Sequence, residues 1–194
     1  MSKQWLAVTA IVAGLVLGAA ALVKFGPEIE GVEVGKKAPD FAAVTLAGDS
    51  VSLSTKYRGQ VTLVNIWATW CIPCRTEMPA MEELFRELGP RGFRIAAVSV
   101  DEGTREDVAS FAKDYGLTFD ILHDQTGDIQ RIYQTTGVPE SFLLDKDGVI
   151  VKKVIGEHPW SSPANRRVIA GLLGVPLRSE AAASTAGQPG KPGG

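Results

Sequence analysis

Two cysteines, Cys71 and Cys74, are the only ones in this 194-residue chain, and they lie in the segment 67–74, which directly follows the strand-like run 61–66. A pair at this spacing, placed where a strand gives way to a helix, is typical of a dithiol that cycles with a disulfide. Unpaired N–H groups and partial positive charge at a helix start favour a thiolate, so Cys71 is the expected nucleophile. Cys74 falls on the same helical face and is the expected resolving thiol.

The cysteine pair has two other readings. A zinc site needs four ligands, but the remaining soft donors, His123 and His158, have no finger-like spacing, so no metal and no cofactor is expected. A purely structural disulfide would close a very short loop and remove little chain entropy.

Pro73 fits the first turn of a helix, which does not need its missing N–H. Neither histidine lies in a catalytic pattern, and both are expected in surface or loop positions.

The segment around the cysteines resembles the active site of thioredoxin-like proteins, and the wider frame resembles their membrane-tethered TlpA/ResA-type branch, related to the AhpC/TSA redoxins. The resemblance covers about residues 36–175. It rests on six motifs: Ala38-Pro39-Asp40-Phe41, Leu46-Ala47-Gly48, Asn65-Ile66-Trp67, Trp67-Ala68-Thr69-Trp70-Cys71-Ile72-Pro73-Cys74, Glu77-Met78-Pro79 and Gly137-Val138-Pro139-Glu140-Ser141. It implies an α/β thioredoxin-like fold, with a mixed central sheet, helices on both faces and an N-terminal β-hairpin extension.

The resemblance also assigns roles to residues that spacing alone does not select. It implies a cis bond between Val138 and Pro139, in a loop that faces the dithiol and exposes backbone for pairing with a substrate peptide. Glu77 matches a functional glutamate of the ResA-like branch, although a solvated helix glutamate is the alternative. Asn65 departs from ordinary thioredoxins, which keep a buried carboxylate at this strand position to move the proton of the resolving cysteine. An amide cannot titrate, so this role must be absent or belong to another residue.

The expected substrate surface lies around the cysteines. Trp70, Ile72, Pro73 and Val138 are the residues expected to contact substrate, because an aromatic wall beside a dithiol excludes water and offers an apolar docking surface. Trp67 lies in the buried strand and is expected to belong to the core.

Hydrophobic periodicity predicts the elements that hold this site. Apolar spacing predicts a helix after the cysteines, followed by a strand over 93–100, which gives a parallel crossover. Thr104 and Asp107 predict a helix start, and a turn at 145–148 between apolar runs predicts a hairpin. Ser162 and Pro163 open a closing helix with four residues expected to face inward: Val168, Ile169, Leu172 and Leu173. Together these elements imply one mixed sheet.

The two ends of the chain differ from this domain. Residues 5–23 form an apolar run long enough for a membrane span, although Ala19-Ala20-Ala21 leaves a cleaved signal as an alternative. The predicted organisation is a signal-anchor or transmembrane segment at 1–24, a tether at 25–36, the thioredoxin-like domain at 37–175 and a disordered low-complexity tail at 176–194. The expected location is the extracytoplasmic side of a bacterial cytoplasmic membrane, or the periplasm after cleavage.

Export shapes the expected function. No glutathione pool keeps thiols reduced outside the cytoplasm, so a working dithiol needs a redox partner there. The resemblance implies a membrane electron donor and reduction of disulfides in exported proteins, with apocytochrome c as the best-known substrate type. A net charge of −2 argues against nucleic-acid binding.

Two other functions are kept as alternatives. A thiol peroxidase of the peroxiredoxin group needs a Pro-x-x-x-Thr-x-x-Cys frame, which neither Cys71 nor Cys74 has. A membrane-tethered, chaperone-like binding module would use the proline loop without redox cycling.

Overall fold

The structure is a computed structural model that describes residues 3–25 and 31–177. It divides into two compact units, Met1–Gly31 and Val32–Gly194. The first contains helix α1 (Lys3–Phe25). Within the described residues, no helix is both long and apolar enough to cross a membrane, so the predicted transmembrane span is not confirmed. Residues 26–30 of the predicted tether and 178–194 of the predicted tail lie outside the described residues.

The second unit is built on one seven-stranded mixed sheet with the strand order β2-β1-β5-β4-β3-β6-β7. Its strands are β1 (Ala42–Thr45), β2 (Ser50–Ser52), β3 (Val61–Trp67), β4 (Phe93–Ser99), β5 (Asp120–His123), β6 (Glu140–Leu144) and β7 (Ile150–Ile155). Its helices are α2 (Leu53–Lys56), α3 (Ile72–Leu88), α4 (Arg105–Asp114), α5 (Asp128–Ile132) and α6 (Pro163–Leu173), with a 3₁₀ turn at Gly89–Arg91.

The central strand β3 explains why the cysteines lie where they do. All seven of its residues are buried, as expected for a strand covered on both faces. It pairs in parallel with β4 and antiparallel with β6, while β5 is parallel to β4. The antiparallel β6–β7 hairpin and the β1–β2 hairpin complete the sheet, so the mixed-sheet prediction and the N-terminal hairpin are confirmed.

The helix starts follow the signals in the sequence. Thr104 and Asp107 form a reciprocal capping box at the start of α4, and the Ser162 side chain caps α6 just before Pro163. One prediction for α6 is wrong. Val168 is 48% exposed, whereas Ile169 and Leu173 are buried, because only the latter side of the helix meets the core.

A buried carboxylate fixes the loop between β3 and the cysteines. Asp101 accepts hydrogen bonds from the Thr69 N–H (2.9 Å), the Thr69 hydroxyl (2.6 Å) and the Ser99 hydroxyl (2.6 Å). The ring Nε2 of His123 lies 2.8 Å from the Asp101 carbonyl oxygen. His123 is therefore a buried residue at the end of β5, and its predicted surface position is wrong. These contacts hold the ends of β3, β4 and β5 together beside the cysteine helix.

Replacing Asp101 should loosen this loop and destabilise the fold. Asp101→Ala leaves the Thr69 N–H and the Ser99 hydroxyl without their acceptor, so the free energy of unfolding should fall by about 2–3 kcal/mol. Urea unfolding of the oxidised protein measures the change. The exposed neighbour Glu102 provides the matched control, since Glu102→Ala should stay within about 0.5 kcal/mol of wild type. Equal midpoints for the two variants would contradict this role of Asp101.

Candidate active site

Cys71 and Cys74 form a disulfide at the start of α3, with Cα atoms 5.3 Å apart and an S–S distance of 2.05 Å. Cys71 is the N-cap residue, and its Sγ accepts the Cys74 N–H at 3.2 Å. Pro73 lies in the first turn of α3, as the sequence predicts. A sulfur at this position faces unpaired helix N–H groups, which stabilise negative charge on it after reduction. The geometry therefore suits Cys71 as the nucleophile and Cys74 as the fully buried resolving sulfur.

The surface around the disulfide is apolar and open. Trp70 is 67% exposed and Ile72 is 74% exposed, while Pro73 is also exposed and Val138 is half-buried. Trp67 is completely buried and packs against Phe111, so its assignment to the core is confirmed. Large apolar side chains that stay exposed around a reactive group are characteristic of contact surfaces.

The proline loop lies directly against the nucleophilic sulfur. The Val138–Pro139 peptide bond is cis, as the resemblance implies. The Val138 carbonyl oxygen lies 3.5 Å from Cys71 Sγ, and the Pro139 carbonyl accepts the Gly156 N–H at 2.8 Å. The buried carboxylate of Glu140 accepts the Thr136 N–H at 3.2 Å, so the loop is fixed on both sides of the proline.

Glu77 lies inside the protein beneath the cysteines. Its side chain is only 2% exposed, so the alternative of a solvated helix glutamate is wrong. Oε1 accepts a hydrogen bond from Asn65 Nδ2 at 2.8 Å, and Oε2 accepts the backbone N–H of His158 at 3.1 Å. Asn65 Nδ2 also donates to Ser141 Oγ at 2.8 Å. The Asn65 amide therefore holds the carboxyl group of Glu77 instead of titrating itself.

Burial raises the pKa of Glu77 from 4.5 to about 7. Hydrogen bonds from Asn65 and the His158 N–H lower this pKa and so act in the opposite direction, while the nearby charge of Glu157 adds to the rise. A carboxyl group with this pKa changes its protonation state near neutral pH, which is what a group that exchanges protons with a thiol requires.

Two contributors to the Glu77 environment were not found by sequence reasoning. The backbone of His158 and the buried ring of Trp160 follow β7, about 80 positions after Glu77, and no motif marks them. The His158 ring is held by Lys152 Nζ, 2.9 Å from its Nε2, and burial together with this cation lowers the pKa of His158. His158 lies in the loop after β7, which agrees with its predicted surface or loop position, but the hydrogen bond from its backbone N–H to Glu77 was not predicted.

The residues described form no metal centre at this site. In residues 3–25 and 31–177, no group of three or more His, Cys, Asp and Glu side chains converges in a way that could hold a metal ion. The disulfide is itself the redox group, so the chemistry it can perform is exchange of two electrons with another thiol or disulfide.

The pKa of Glu77 predicts a specific dependence of stability on pH. Between about pH 4.5 and 7 the folded protein keeps a proton on Glu77 that the unfolded chain releases, so stability falls as pH rises through this window and is level above it. Across this window the free energy of unfolding should fall by roughly 3 kcal/mol. Glu77→Gln should abolish this fall in denaturant unfolding of the oxidised protein. Glu106→Gln, at an exposed helix position, is the control and should still lose stability as pH rises through this window. If Glu77→Gln also lost as much stability as wild type, the raised pKa could not belong to Glu77.

Comparison with known proteins agrees with this geometry. Residues 34–153 match the AhpC/TSA family. The chain is 39% identical over 129 residues to the thiol-disulfide oxidoreductase ResA of Bacillus thuringiensis subsp. konkukian, covering 66% of this chain and 73% of that protein. It is 43% identical over 124 residues to the thioredoxin-like protein YneN of Bacillus subtilis, covering 62% of this chain and 70% of that protein.

A solved structure supports the same conclusion. The fold is similar to the crystal structure of a thiol:disulfide interchange protein of the thioredoxin family from Chlorobium tepidum, with a TM-score of 0.61 and 28% identity, over 73% of this chain and 98% of that one. The expectation of a thioredoxin-like fold is confirmed. The chain therefore belongs to the AhpC/TSA family and is a thiol-disulfide oxidoreductase similar to ResA.

Proposed function

We propose that this protein reduces disulfides in exported proteins through Cys71 and Cys74, with apocytochrome c as the substrate type that the ResA resemblance suggests. The observation that carries the proposal is a disulfide at a helix start, lined by the cis-proline loop and backed by a buried carboxyl group whose pKa is about 7. Each of these three parts has a task in a reductive exchange cycle.

In the first step, the reduced protein attacks a substrate disulfide. The Cys71 thiolate forms a bond to one substrate sulfur, and the substrate S–S bond breaks, which releases a thiolate that takes a proton from water. The Cys74 thiol then loses its proton and attacks Cys71 Sγ. This forms the Cys71–Cys74 disulfide and releases the second substrate thiolate. Two electrons have passed to the substrate, and an external dithiol must return them.

Glu77 is the group that we assign to the proton of Cys74. It lies three residues further along α3, so both side chains emerge on one helix face, and both are buried. Water has little access to a thiol that is fully buried, so an internal base is needed. Asn65 and the His158 N–H keep the carboxyl group in place while its charge changes.

Substrate would dock on the exposed surface around Cys71. The cis-proline loop presents the backbone of Val138 beside the sulfur, where an extended peptide could pair with it. Trp70, Ile72 and Pro73 supply apolar contact area on the other side. Backbone pairing combined with apolar contact makes few demands on the sequence of the substrate, which suits an enzyme with several protein substrates.

The buried carboxyl group also favours the reducing direction. An ionised Glu77 disfavours a second negative charge nearby, on the thiolate of the reduced site, which makes the reduced form less stable relative to the disulfide. A protein whose reduced form is destabilised gives electrons away more readily. The electron donor that restores the dithiol is proposed to be a membrane protein, since the long apolar run at residues 5–23 suggests export or membrane attachment at the extracytoplasmic side.

The reduction potential tests the direction of electron flow. We expect the Cys71–Cys74 couple to lie nearer the roughly −270 mV of thioredoxin than the roughly −120 mV of a strong oxidant. Equilibration with defined thioredoxin mixtures, followed by thiol alkylation, measures it. Glu77→Gln should move the potential to a less negative value, since the opposing charge is lost. A wild-type value near −120 mV would reverse the assigned direction.

Trapping of mixed disulfides tests the substrates. In cells, Cys74→Ala cannot release a substrate bound at Cys71, so covalent complexes should accumulate and disappear on reduction. Cys71→Ala with Cys74→Ala is the matched control and should trap nothing. Exported proteins with paired cysteines should dominate the complexes, c-type apocytochromes among them. Complexes with cytoplasmic proteins alone would contradict the proposed location and substrate class.

A further inference from the structure

Another buried carboxylate lies directly after the cis-proline. Glu140 is only 1% exposed, and an ionised carboxylate in such a place costs free energy unless other groups compensate its charge. Its Oε2 accepts the Thr136 N–H at 3.2 Å. Its Oε1 accepts no hydrogen bond from the described residues, but it lies 3.1 Å from Lys153 Nζ, which makes an ion pair. The ammonium group of Lys153 therefore compensates the buried charge.

Lys153 is itself held in place on the edge strand β7. It is the cross-strand partner of Phe142, and its Nζ lies 5.2 Å from the centre of the Phe142 ring. The same Nζ donates a hydrogen bond to the Val32 carbonyl oxygen at 3.3 Å. Only 26% of the Lys153 side chain is exposed. Because the ammonium group contacts a carboxylate, a backbone oxygen and an aromatic face, it has a fixed position beside Glu140.

The Glu140 carboxylate joins this lysine to the loop that faces the nucleophile. Its contact with the Thr136 N–H closes the loop over residues 136–139. In that loop, the Val138 carbonyl oxygen lies 3.5 Å from Cys71 Sγ. A change in the position of the carboxylate therefore changes the backbone that lies beside the reactive sulfur.

Strand β6 separates this ion pair from the group assigned to the proton. Successive residues of a strand point to opposite faces of the sheet. On one face, Ser141 contacts Asn65, which holds Glu77. On the other face, Glu140 meets Lys153. A change at Lys153 should therefore alter the substrate loop and leave the contacts of Glu77 in place.

We propose that Lys153 is a positioning residue for substrate binding: its ammonium group holds the Glu140 carboxylate, which keeps the loop 136–139 in place to pair with an extended peptide. The proposal rests on the proposed function, in which the substrate pairs with the Val138 backbone. Lys153 touches neither the substrate nor a reacting sulfur, and no proton or electron moves through it. The ion pair gives the site a preference for disulfides in polypeptides over small disulfides that have no backbone to pair.

A comparison of two substrates tests this role. The reduced full-length protein is mixed with either a disulfide-linked peptide or hydroxyethyl disulfide, which has no peptide backbone. Lys153→Met should raise the half-saturating peptide concentration about tenfold at an unchanged maximal rate, because a backbone contact is weakened. The ratio of the second-order rate constants for peptide and hydroxyethyl disulfide should fall by the same factor. An unchanged ratio, or a loss of maximal rate alone, would overturn the proposal.

Two further variants separate the charge of Lys153 from the stability of the fold. Lys153→Arg keeps the cation and should bring the half-saturating peptide concentration back to within about threefold of wild type. If Lys153→Arg were as impaired as Lys153→Met, the charge would have no role. Lys56, a lysine of similar exposure, pairs with Asp120 at 2.9 Å, where β5 begins at the end of the sheet away from the cysteines. Lys56→Met should leave the ratio of rate constants unchanged, and equal ratios for the two methionine variants would contradict a specific role of Lys153.

A double-mutant cycle shows whether Lys153 acts through Glu140. Glu140→Gln keeps an oxygen for the Thr136 N–H but removes the charge, so it should raise the half-saturating peptide concentration as Lys153→Met does. In the Glu140→Gln background, Lys153→Met should add less than about twofold, because its partner is already neutral. This double variant has no unpaired buried charge, so the comparison holds even where Lys153→Met alone does not fold. A further rise of about tenfold would mean that the lysine contacts the substrate directly, which rules the proposal out.

The proposed function and the positioning role fail in different ways. If the direction or the substrates are wrong, the measured potential or the trapped partners differ from expectation, while the ratio of rate constants still responds to Lys153. If the positioning role is wrong, that ratio does not respond, while the dithiol still exchanges with exported proteins.

Discussion

Glu77 places its carboxyl group inside the protein, three residues after the resolving cysteine, where ionisation is costly unless donors surround it. The donors come from distant parts of the chain. Asn65 lies on the central strand β3, and the backbone of His158 follows β7. The helix that carries the cysteines is therefore tied to the sheet through the same group that is assigned to handle their proton. Position and protonation of the carboxyl group depend on the same few contacts.

The sheet topology makes this convergence possible. Parallel strands β3 and β4 end at one edge, which brings Cys71 and Asp101 close together, while the antiparallel strand β6 begins at that edge and starts from the cis-proline loop. A mixed sheet thus brings a helix start, a loop after a strand and a loop before a strand to one place. Each contributes a different group to the site: a sulfur, a fixed backbone and a carbonyl oxygen.

Much of this arrangement could be predicted because its signals are local. Spacing identified Cys71 and Cys74, capping residues identified the helix starts, and the resemblance identified the cis bond before Pro139. The burial of Glu77 could not be derived, because it depends on what packs against α3 from residues about 80 positions away. Trp160 was missed for the same reason, since an isolated tryptophan carries no signal of the part of the fold in which its ring will be buried.

The release step under single-turnover conditions tests the central claim most directly, that Glu77 accepts the proton of Cys74. The reduced protein is mixed with a saturating disulfide peptide, and release of the second peptide thiol is followed across pH 5–9. For wild type the rate should rise with a midpoint near 7 and then level off. In Glu77→Gln it should fall by about 100-fold or more and lose that midpoint. Superimposable profiles for the two proteins would contradict the account.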